Sequence, residues 1–181
     1  MKICVISGSN RAGNNSIKIA RIVAAAHESA GAEVELLDLR ELPRDLLTPE
    51  AYNEKPAEFD RFRDSVLGSK GLAIVVPEYN GSFPGVLKLF IDMLPYPDAY
   101  EGRAVSFTGL AAGRWGALRS VEQLQLIWGY RNTPSLPRRV FIPEVCEQLD
   151  EDGALKDEEI QARIGTQAEE FVAFCRALFP S

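Results

Sequence analysis

The chain has 181 residues, of which 46% are hydrophobic and 25% charged. This composition is typical of a soluble globular protein and excludes disordered and collagen-like proteins. No apolar run reaches the roughly 20 residues of a membrane-spanning helix, and a net charge of -6 argues against a general nucleic-acid binder. The acidic excess lies in residues 140–181, which hold 10 acidic and 3 basic side chains, so the earlier, nearly neutral part can host an anionic ligand.

The rare residue types exclude several kinds of chemistry. Cys4, Cys146 and Cys175 are far apart and form no C-x-x-C pair, so neither a disulfide framework nor a zinc site is expected. The single histidine, His27, argues against a Ser-His-Asp hydrolase and a His-rich metal site. The first seven residues enter a predicted strand without the features of a signal peptide, which predicts a cytoplasmic protein with no membrane partner.

Strands and helices alternate along the sequence. Apolar runs predict strands over residues 2–7, 34–39, 71–76 and 103–108, and a less regular one, interrupted by Pro137, between 135 and 142. Helical spacing of apolar residues predicts helices over 16–30, 57–67, 84–94, 116–128 and 160–178, with Pro84 at a first helical position. Residues 40–56, with three prolines, are predicted to be an irregular loop. This alternation predicts an α/β protein with one domain over 1–181 and helices on both faces of a parallel sheet.

A ligand of such a sheet is expected at the carboxyl edge of the strands, where the winding direction reverses. Three polar or glycine-rich segments follow strands at that edge: residues 8–16, 77–85 and 109–116. The sequence therefore predicts that these three segments together form the functional site.

The first segment has the chemistry of a phosphate site. Backbone N–H groups at a helix start favour anions, and the segment adds the side chains of Ser9, Arg11, Asn14, Asn15 and Ser16. The alternative is that the residues from 14 to 16 only cap the helix and that Arg11 is a solvated charge. Neither a P-loop nor a G-x-G-x-x-G fingerprint is present, which argues against an NTPase and a dinucleotide-binding Rossmann domain.

The second segment reads Pro-Glu-Tyr-Asn-Gly-Ser over residues 77–82, and Pro-Gly-Val-Leu-Lys follows over 84–88. Together with Gly-Ser-x-Arg over 8–11, this block resembles the NADPH-dependent FMN reductase family, which includes chromate, azo-dye and quinone reductases. The resemblance implies a flavodoxin-like three-layer sandwich with a five-stranded parallel sheet of order 2-1-3-4-5 and helices on both faces.

The resemblance also assigns residues to an FMN cofactor. The residues that it places at the phosphate are Ser9, Arg11 and Ser16, assisted by Asn14 or Asn15. Those that line the isoalloxazine are Pro77, Glu78, Tyr79 and Asn80, with Gly81 and Ser82 completing the turn. The segment containing Gly113 and Arg114 closes over the other side of the flavin. This sequence has Asn14 and Ser16 where the family often has Ser and Asn, so the phosphate donors remain but their individual bonds differ.

The implied activity is transfer of a hydride from NADPH (or NADH) to FMN and then to a flavin, quinone or similar small acceptor, in ping-pong order. The cofactors carry that chemistry, so no catalytic side chain is required. Tyr79 can either stack on the flavin or anchor the loop, and Glu78 is expected to bond local backbone. The family also implies a homodimer or homotetramer, and the aromatic residues Trp115, Trp128 and Tyr130 fit either an oligomer interface or the core. The alternative function is a flavodoxin-like electron carrier without direct NAD(P)H turnover, and a third is a regulatory protein that has lost turnover.

Overall fold

The computed structural model describes residues 1–180 and contains one sheet of five parallel strands. The strands are β1 (Lys2–Ser7), β2 (Glu33–Asp38), β3 (Gly71–Pro77), β4 (Ala104–Leu110) and β5 (Val140–Ile142). The helices are α1 (Asn15–Ser29), α2 (Asp60–Leu67), α3 (Gly85–Met93), α4 (Leu118–Tyr130), α5 (Val145–Gln148) and α6 (Glu158–Leu178). Within the described part of the chain, no helix combines the length and apolar character needed to cross a membrane.

The strand order is β2-β1-β3-β4-β5, which confirms the predicted order 2-1-3-4-5. The chain passes from β1 to β2 on one side and then returns to place β3 on the other side of β1. The winding direction therefore reverses between β1 and β3, and the segments that follow these two strands border a crevice at the carboxyl edge of the sheet.

Each face of the sheet is covered by its own layer of apolar side chains. One layer joins the sheet to α2, α3 and α4, with Phe62, Phe90 and Trp128 among its largest members. The other joins it to α1 and α6, where Val23 and Phe171 are buried. All seven residues of β3 are buried, as expected for a central strand covered on both faces. The two layers hold the carboxyl ends of β1, β3 and β4 in fixed relative positions.

The fourth strand is longer than the sequence predicted. Residues 103–108 were predicted as strand and 109–114 as loop, but β4 includes Gly109 and Leu110, and Leu110 is in register with Pro77 of β3. A Cβ atom on Gly109 would lie 2.5 Å from the Gly116 carbonyl oxygen. The glycine therefore does not break the strand, since its role is to let the following segment fold back closely over it.

Other boundaries also differ from prediction. Pro84 was predicted at the first helical position, but it is the N-cap of α3, whose first residue is Gly85. Residues 40–56 are not irregular throughout, because three short 3-10 turns include parts of this segment: Leu39–Glu41, Arg44–Leu47 and Pro49–Tyr52. The one-turn helix α5 was not predicted, and β5 has only three residues.

Candidate functional site

The segment after β1 ends in the capped start of α1. Asn14 is the N-cap residue, and its Oδ1 accepts the backbone N–H of Ile17 at 3.0 Å. Its Nδ2 donates to the Arg11 carbonyl at 2.6 Å, which closes the loop on itself. Because the first N–H groups of a helix have no partner inside it, the cap leaves those of Asn15 and Ser16 directed out of the helix start.

The positive character of this helix start is reinforced by Arg11. The Arg11 side chain is exposed, and none of the ion pairs found in residues 1–180 involves it. Ser16 is only 1% exposed and borders the crevice. Unpaired guanidinium, outward N–H groups and a hydroxyl are together the donor set that a phosphate monoester prefers.

The segment after β3 forms a tight hairpin turn. The Tyr79 N–H donates to the Ser82 carbonyl at 2.7 Å, and the Ser82 N–H donates to the Tyr79 carbonyl at 3.1 Å. The two central residues, Asn80 and Gly81, have φ values of 54° and 76°. Positive φ at both central positions defines a type I′ turn, for which Asn-Gly is the preferred sequence, so this turn is fixed locally by its own residues.

Tyr79 connects the first two segments. Its hydroxyl shares a hydrogen bond of 2.7 Å with the hydroxyl of Ser9, which is fully buried. The Arg11 guanidinium carbon lies 5.7 Å from the centre of the Tyr79 ring, within the range of a cation–π contact. The structure thus gives Tyr79 the loop-anchoring contact that was one of its two predicted roles.

Glu78 does not make the local backbone bonds expected of it. One carboxylate oxygen is 3.7 Å from an Arg119 guanidinium nitrogen on α4, and the other is buried without a hydrogen-bond partner among the described residues. An unpartnered buried oxygen is costly unless a ligand or water donates to it. Glu78 thus borders the crevice with a carboxylate that the surrounding protein only partly satisfies.

The third side of the crevice combines the ends of β4 and β5. The Ala111 N–H donates to the Ile142 carbonyl at 3.1 Å, and the Val145 N–H donates to the Ala111 carbonyl at 3.0 Å. These bonds place α5 beside the start of α1, where the Asn15 amide nitrogen is 3.6 Å from the Cys146 sulfur.

A cavity of about 240 Å³ lies between these segments and is called here the three-loop cavity. Seven of the thirteen residues that were predicted for the site line it: Arg11, Asn14, Asn15, Ser16, Pro77, Glu78 and Tyr79. The other six do not line it: Ser9, Asn80, Gly81, Ser82, Gly113 and Arg114. Ser9 is instead buried under Tyr79, and the Gly113 carbonyl accepts the Glu144 N–H at 3.2 Å.

Seven residues that line the cavity were not assigned individually to the cofactor: Ala12, Gly13, Leu110, Ala111, Ala112, Val145 and Cys146. The first five lie within the predicted segments 8–16 and 109–116, so only Val145 and Cys146 fall outside the predicted site. The most distant are Val145 and Cys146, which follow β5. The rule that ligands bind beyond the carboxyl ends of parallel strands applies to β5 as well as to β1, β3 and β4. Extending it to the fifth strand would have identified residues 143–146.

The cavity suits FMN better than a metal ion. Its α1 side offers cationic and N–H donors for the phosphate, while its β3 side is lined by Glu78, whose carboxylate can accept from an N–H group of the flavin ring. Among residues 1–180, no three His, Cys, Asp or Glu side chains form a group that could hold a metal ion.

Comparison with known proteins agrees with this chemistry. The profile of the family described as NADPH-dependent FMN reductase matches residues 1–146. An NAD(P)H-dependent FMN reductase of Pseudomonas aeruginosa is 28% identical over 98% of this chain and 97% of its own. A quinone reductase of Pseudomonas putida is 30% identical over 86% of this chain and 84% of its own. The solved structure of FerB, a flavoenzyme NAD(P)H:(acceptor) oxidoreductase from Paracoccus denitrificans, shares the fold with a TM-score of 0.82 and 23% identity over 97% of both chains.

Proposed function

Since the chain belongs to the NADPH-dependent FMN reductase family and is an FMN-dependent NAD(P)H oxidoreductase, we propose that its FMN binds in the three-loop cavity. The single observation that carries this proposal is the junction of an unpaired arginine, a helix start and the Glu78 carboxylate around one cavity at the reversal point of the sheet. The segments after β1 and β3 then hold opposite ends of the cofactor.

The phosphate end is held by the segment after β1. Arg11 pairs with the phosphate charge, and the backbone N–H groups of Asn15 and Ser16 and the Ser16 hydroxyl donate to its oxygens. Asn14 acts through its cap, because its side-chain atoms already bond Ile17 and the Arg11 carbonyl. Ser9 acts through the Tyr79 hydroxyl that it holds.

The ring end is held by the segment after β3. Pro77, Glu78 and Tyr79 border the isoalloxazine, and Glu78 accepts a hydrogen bond from it. Asn80, Gly81 and Ser82 maintain the turn that sets the backbone direction of these residues. Gly113 and Arg114 belong to the segment that closes the opposite side.

Bound FMN supplies the hydride chemistry, so the chain needs no acid or base at the reacting atoms. Its residues bind the phosphate, orient the ring and leave one side of the cavity open. We propose that NADPH or NADH and a small acceptor use this open side in turn, in ping-pong order. The Pseudomonas putida relative is named a quinone reductase, which supports a quinone as one class of acceptor. Dependence on NAD(P)H supports a cytoplasmic location.

The test is the visible spectrum of the purified protein after incubation with FMN and removal of the excess, recorded before and after anaerobic NADPH or NADH. We expect a retained flavin spectrum that bleaches with either or both donors. A retained spectrum that neither donor bleaches would favour the electron-carrier alternative, and a protein that retains no flavin would contradict the proposed cofactor site.

We also propose that two copies of the chain associate through the groove between α3 and α4. Tyr130 and Leu126 line this groove and are 78% and 75% exposed. Tyr96, which is 69% exposed, lies beside it, with its ring centre 4.7 Å from the guanidinium carbon of Arg131. Such exposure is unusual for clustered large apolar side chains. Lys88, Asp92 and Arg131 border the same groove, so the surface carries both charge signs and suits pairing with itself. Trp128 is buried and belongs to the core instead.

Light scattering of the wild type and of Tyr130→Glu tests this association. We expect the wild type to be a dimer, or a tetramer of such dimers, and we expect Tyr130→Glu to dissociate. A wild-type monomer would contradict it.

A further inference from the structure

The turn after β3 is tied to helix α4 by two side chains on one face of that helix. Arg119 and Gln123 are four residues apart, so they project from the same side of α4. Arg119 approaches Glu78, and Gln123 contacts the two residues that end the turn, Gly81 and Ser82.

Gln123 makes two complementary bonds with this turn. Its Nε2 donates to the Gly81 carbonyl at 3.2 Å, and its Oε1 accepts the Ser82 hydroxyl. A carboxamide carries a donor and an acceptor on one rigid plane, and both are used here. Neither a carboxylate, which only accepts, nor an ammonium, which only donates, can replace both bonds.

The shape of the turn is set by its own residues, so the bonds from Gln123 act on the position of the turn relative to α4. The turn has two backbone bonds of its own, between Tyr79 and Ser82, and its centre is exposed at Asn80. Holding Gly81 and Ser82 against α4 therefore also holds the backbone of Tyr79. The Tyr79 hydroxyl in turn contacts Ser9, so the restraint extends into the segment after β1.

We infer that Gln123 is a positioning residue for the cofactor, although it lines no part of the three-loop cavity. This rests on the proposed function, because it assumes that FMN occupies that cavity. Gln123 holds the turn in place against α4, the turn holds the backbone of Tyr79, and Tyr79 links the segments that hold the two ends of FMN. Gln123 contributes by preorganisation: the turn is already ordered before FMN binds, so less conformational entropy is lost on binding.

The test compares Gln123→Ala and Gln123→Glu with the wild type by FMN fluorescence titration and by FMN dissociation kinetics. Loss of the two bonds is expected to raise the Kd roughly 5- to 30-fold in Gln123→Ala, with faster FMN dissociation. Gln123→Glu keeps the side-chain size but loses the donor, so it should bind FMN as weakly or more weakly. Gln125→Ala is the matched control, because Gln125 is on the same helix but bonds Arg139 and should leave the Kd unchanged.

Hydrogen–deuterium exchange of the FMN-free protein gives an independent readout. Peptides that cover residues 78–83 should exchange faster in Gln123→Ala, while peptides from β1 and β3 should be unchanged. The double variant of Gln123→Ala with Ser82→Ala should weaken FMN binding by less than the product of the single effects, since both changes remove the same bond.

The outcomes separate this inference from the proposed function. A wild type that retains no FMN would overturn the proposed function. If the wild type retains FMN, but Gln123→Ala has the wild-type Kd for FMN and the wild-type rates of hydrogen–deuterium exchange, only the role of Gln123 is overturned. Because Gln123 is exposed, the variant is expected to unfold at the wild-type temperature. If Gln123→Ala has a lowered Tm while Gln123→Glu binds FMN with the wild-type Kd, the residue has a structural role, and the inference is overturned as well.

Discussion

Arg11 is an exposed cation at the rim of the three-loop cavity, with no carboxylate partner in the described chain. If it forms a charge-assisted bond to the FMN phosphate, Arg11→Ala should weaken FMN binding by about 1.5–3 kcal/mol, roughly 10- to 150-fold in Kd. Fluorescence titration measures this directly. Arg21→Ala is the control, because Arg21 is another exposed arginine, on α1 but outside the cavity. Equal Kd values for Arg11→Ala and the wild type would show that Arg11 does not bind the phosphate.

Removing the hydroxyl of Tyr79 distinguishes its two predicted roles, which are stacking on the flavin and anchoring the loop. Tyr79→Phe keeps a ring that can stack on the flavin but removes the bond to Ser9, whose buried hydroxyl then loses its side-chain partner. We expect the free energy of unfolding to fall by about 1–2 kcal/mol and the FMN Kd to rise several-fold. Urea denaturation and FMN titration provide the measurements, with the exposed Tyr52→Phe as control. If both quantities stay unchanged in Tyr79→Phe, the residue acts through its ring alone.

The residues of the site differ in how far sequence alone can identify them. Asn80 and Gly81 form their turn from local preference, so a short motif is enough to predict it. Asn14 was predicted to assist at the phosphate, with a helix cap as the alternative, and its cap bond is local too. Gln123 and Cys146 lie 41 and 131 residues along the chain from their partners Ser82 and Asn15. No periodicity or spacing encodes such contacts, because they depend on how whole elements pack.

Arg103 joins three parts of the fold. It is 5% exposed, and its guanidinium donates to the carbonyls of Leu67, Ser69 and Asp98. Leu67 is the last residue of α2, so the positive charge also lies at the negative end of that helix. Residue 103 was predicted as the start of a strand, but it precedes β4 and connects it to α2 and to the segment after α3.

Replacing Arg103 with Met removes these bonds, and the carbonyls of Leu67, Ser69 and Asp98 lose the guanidinium as a donor. We expect Arg103→Met to lower the free energy of unfolding by about 2–4 kcal/mol. Urea denaturation of the FMN-free protein measures this, so that ligand binding does not contribute. Arg44→Met, at an exposed arginine on a 3-10 turn, should change stability by less than about 0.5 kcal/mol. Similar losses in both variants would contradict a specific role for Arg103.

Strands and helices could be predicted from the sequence where the hydrophobic pattern alone determines their bounds. The strand over 2–7 has the predicted bounds, because a continuous apolar run in a buried parallel strand is unambiguous. The segment 40–56 was harder, because its three prolines signal an interruption without saying which structure follows. In the structure each proline opens a 3-10 turn, with Pro43 and Pro56 as N-caps and Pro49 as a first residue, and Leu46 and Ala51 are buried between them. Their burial depends on tertiary packing, which propensity does not report.

The apolar layer between α1 and α6 contains a buried histidine, whose protonation links the packing of the whole molecule to pH. His27 is 1% exposed, and its ring is 5.9 Å from that of Phe171 in an edge-on arrangement. Its Nδ1 bonds the Val23 carbonyl at 2.8 Å, while its Nε2 is buried without a partner among the described residues. Burial lowers the pKa of His27 below its ordinary value of 6.5, only partly opposed by the Val23 carbonyl.

This lowered pKa predicts how the stability of the protein depends on pH. Above pH 6.5 the imidazole is neutral in both folded and unfolded chains, so it adds no pH dependence. As the pH falls below that value, the unfolded chain binds a proton that the folded chain excludes, and stability falls by up to about 1.4 kcal/mol per pH unit until the folded pKa is reached. The variant His27→Leu cannot bind this proton, whereas its carboxylates titrate as in the wild type. The free energy of unfolding of His27→Leu minus that of the wild type should therefore increase as the pH is lowered from 7 to 5. Urea denaturation at each pH measures this difference. Parallel curves for the two proteins would mean that His27 titrates alike in the folded and unfolded states.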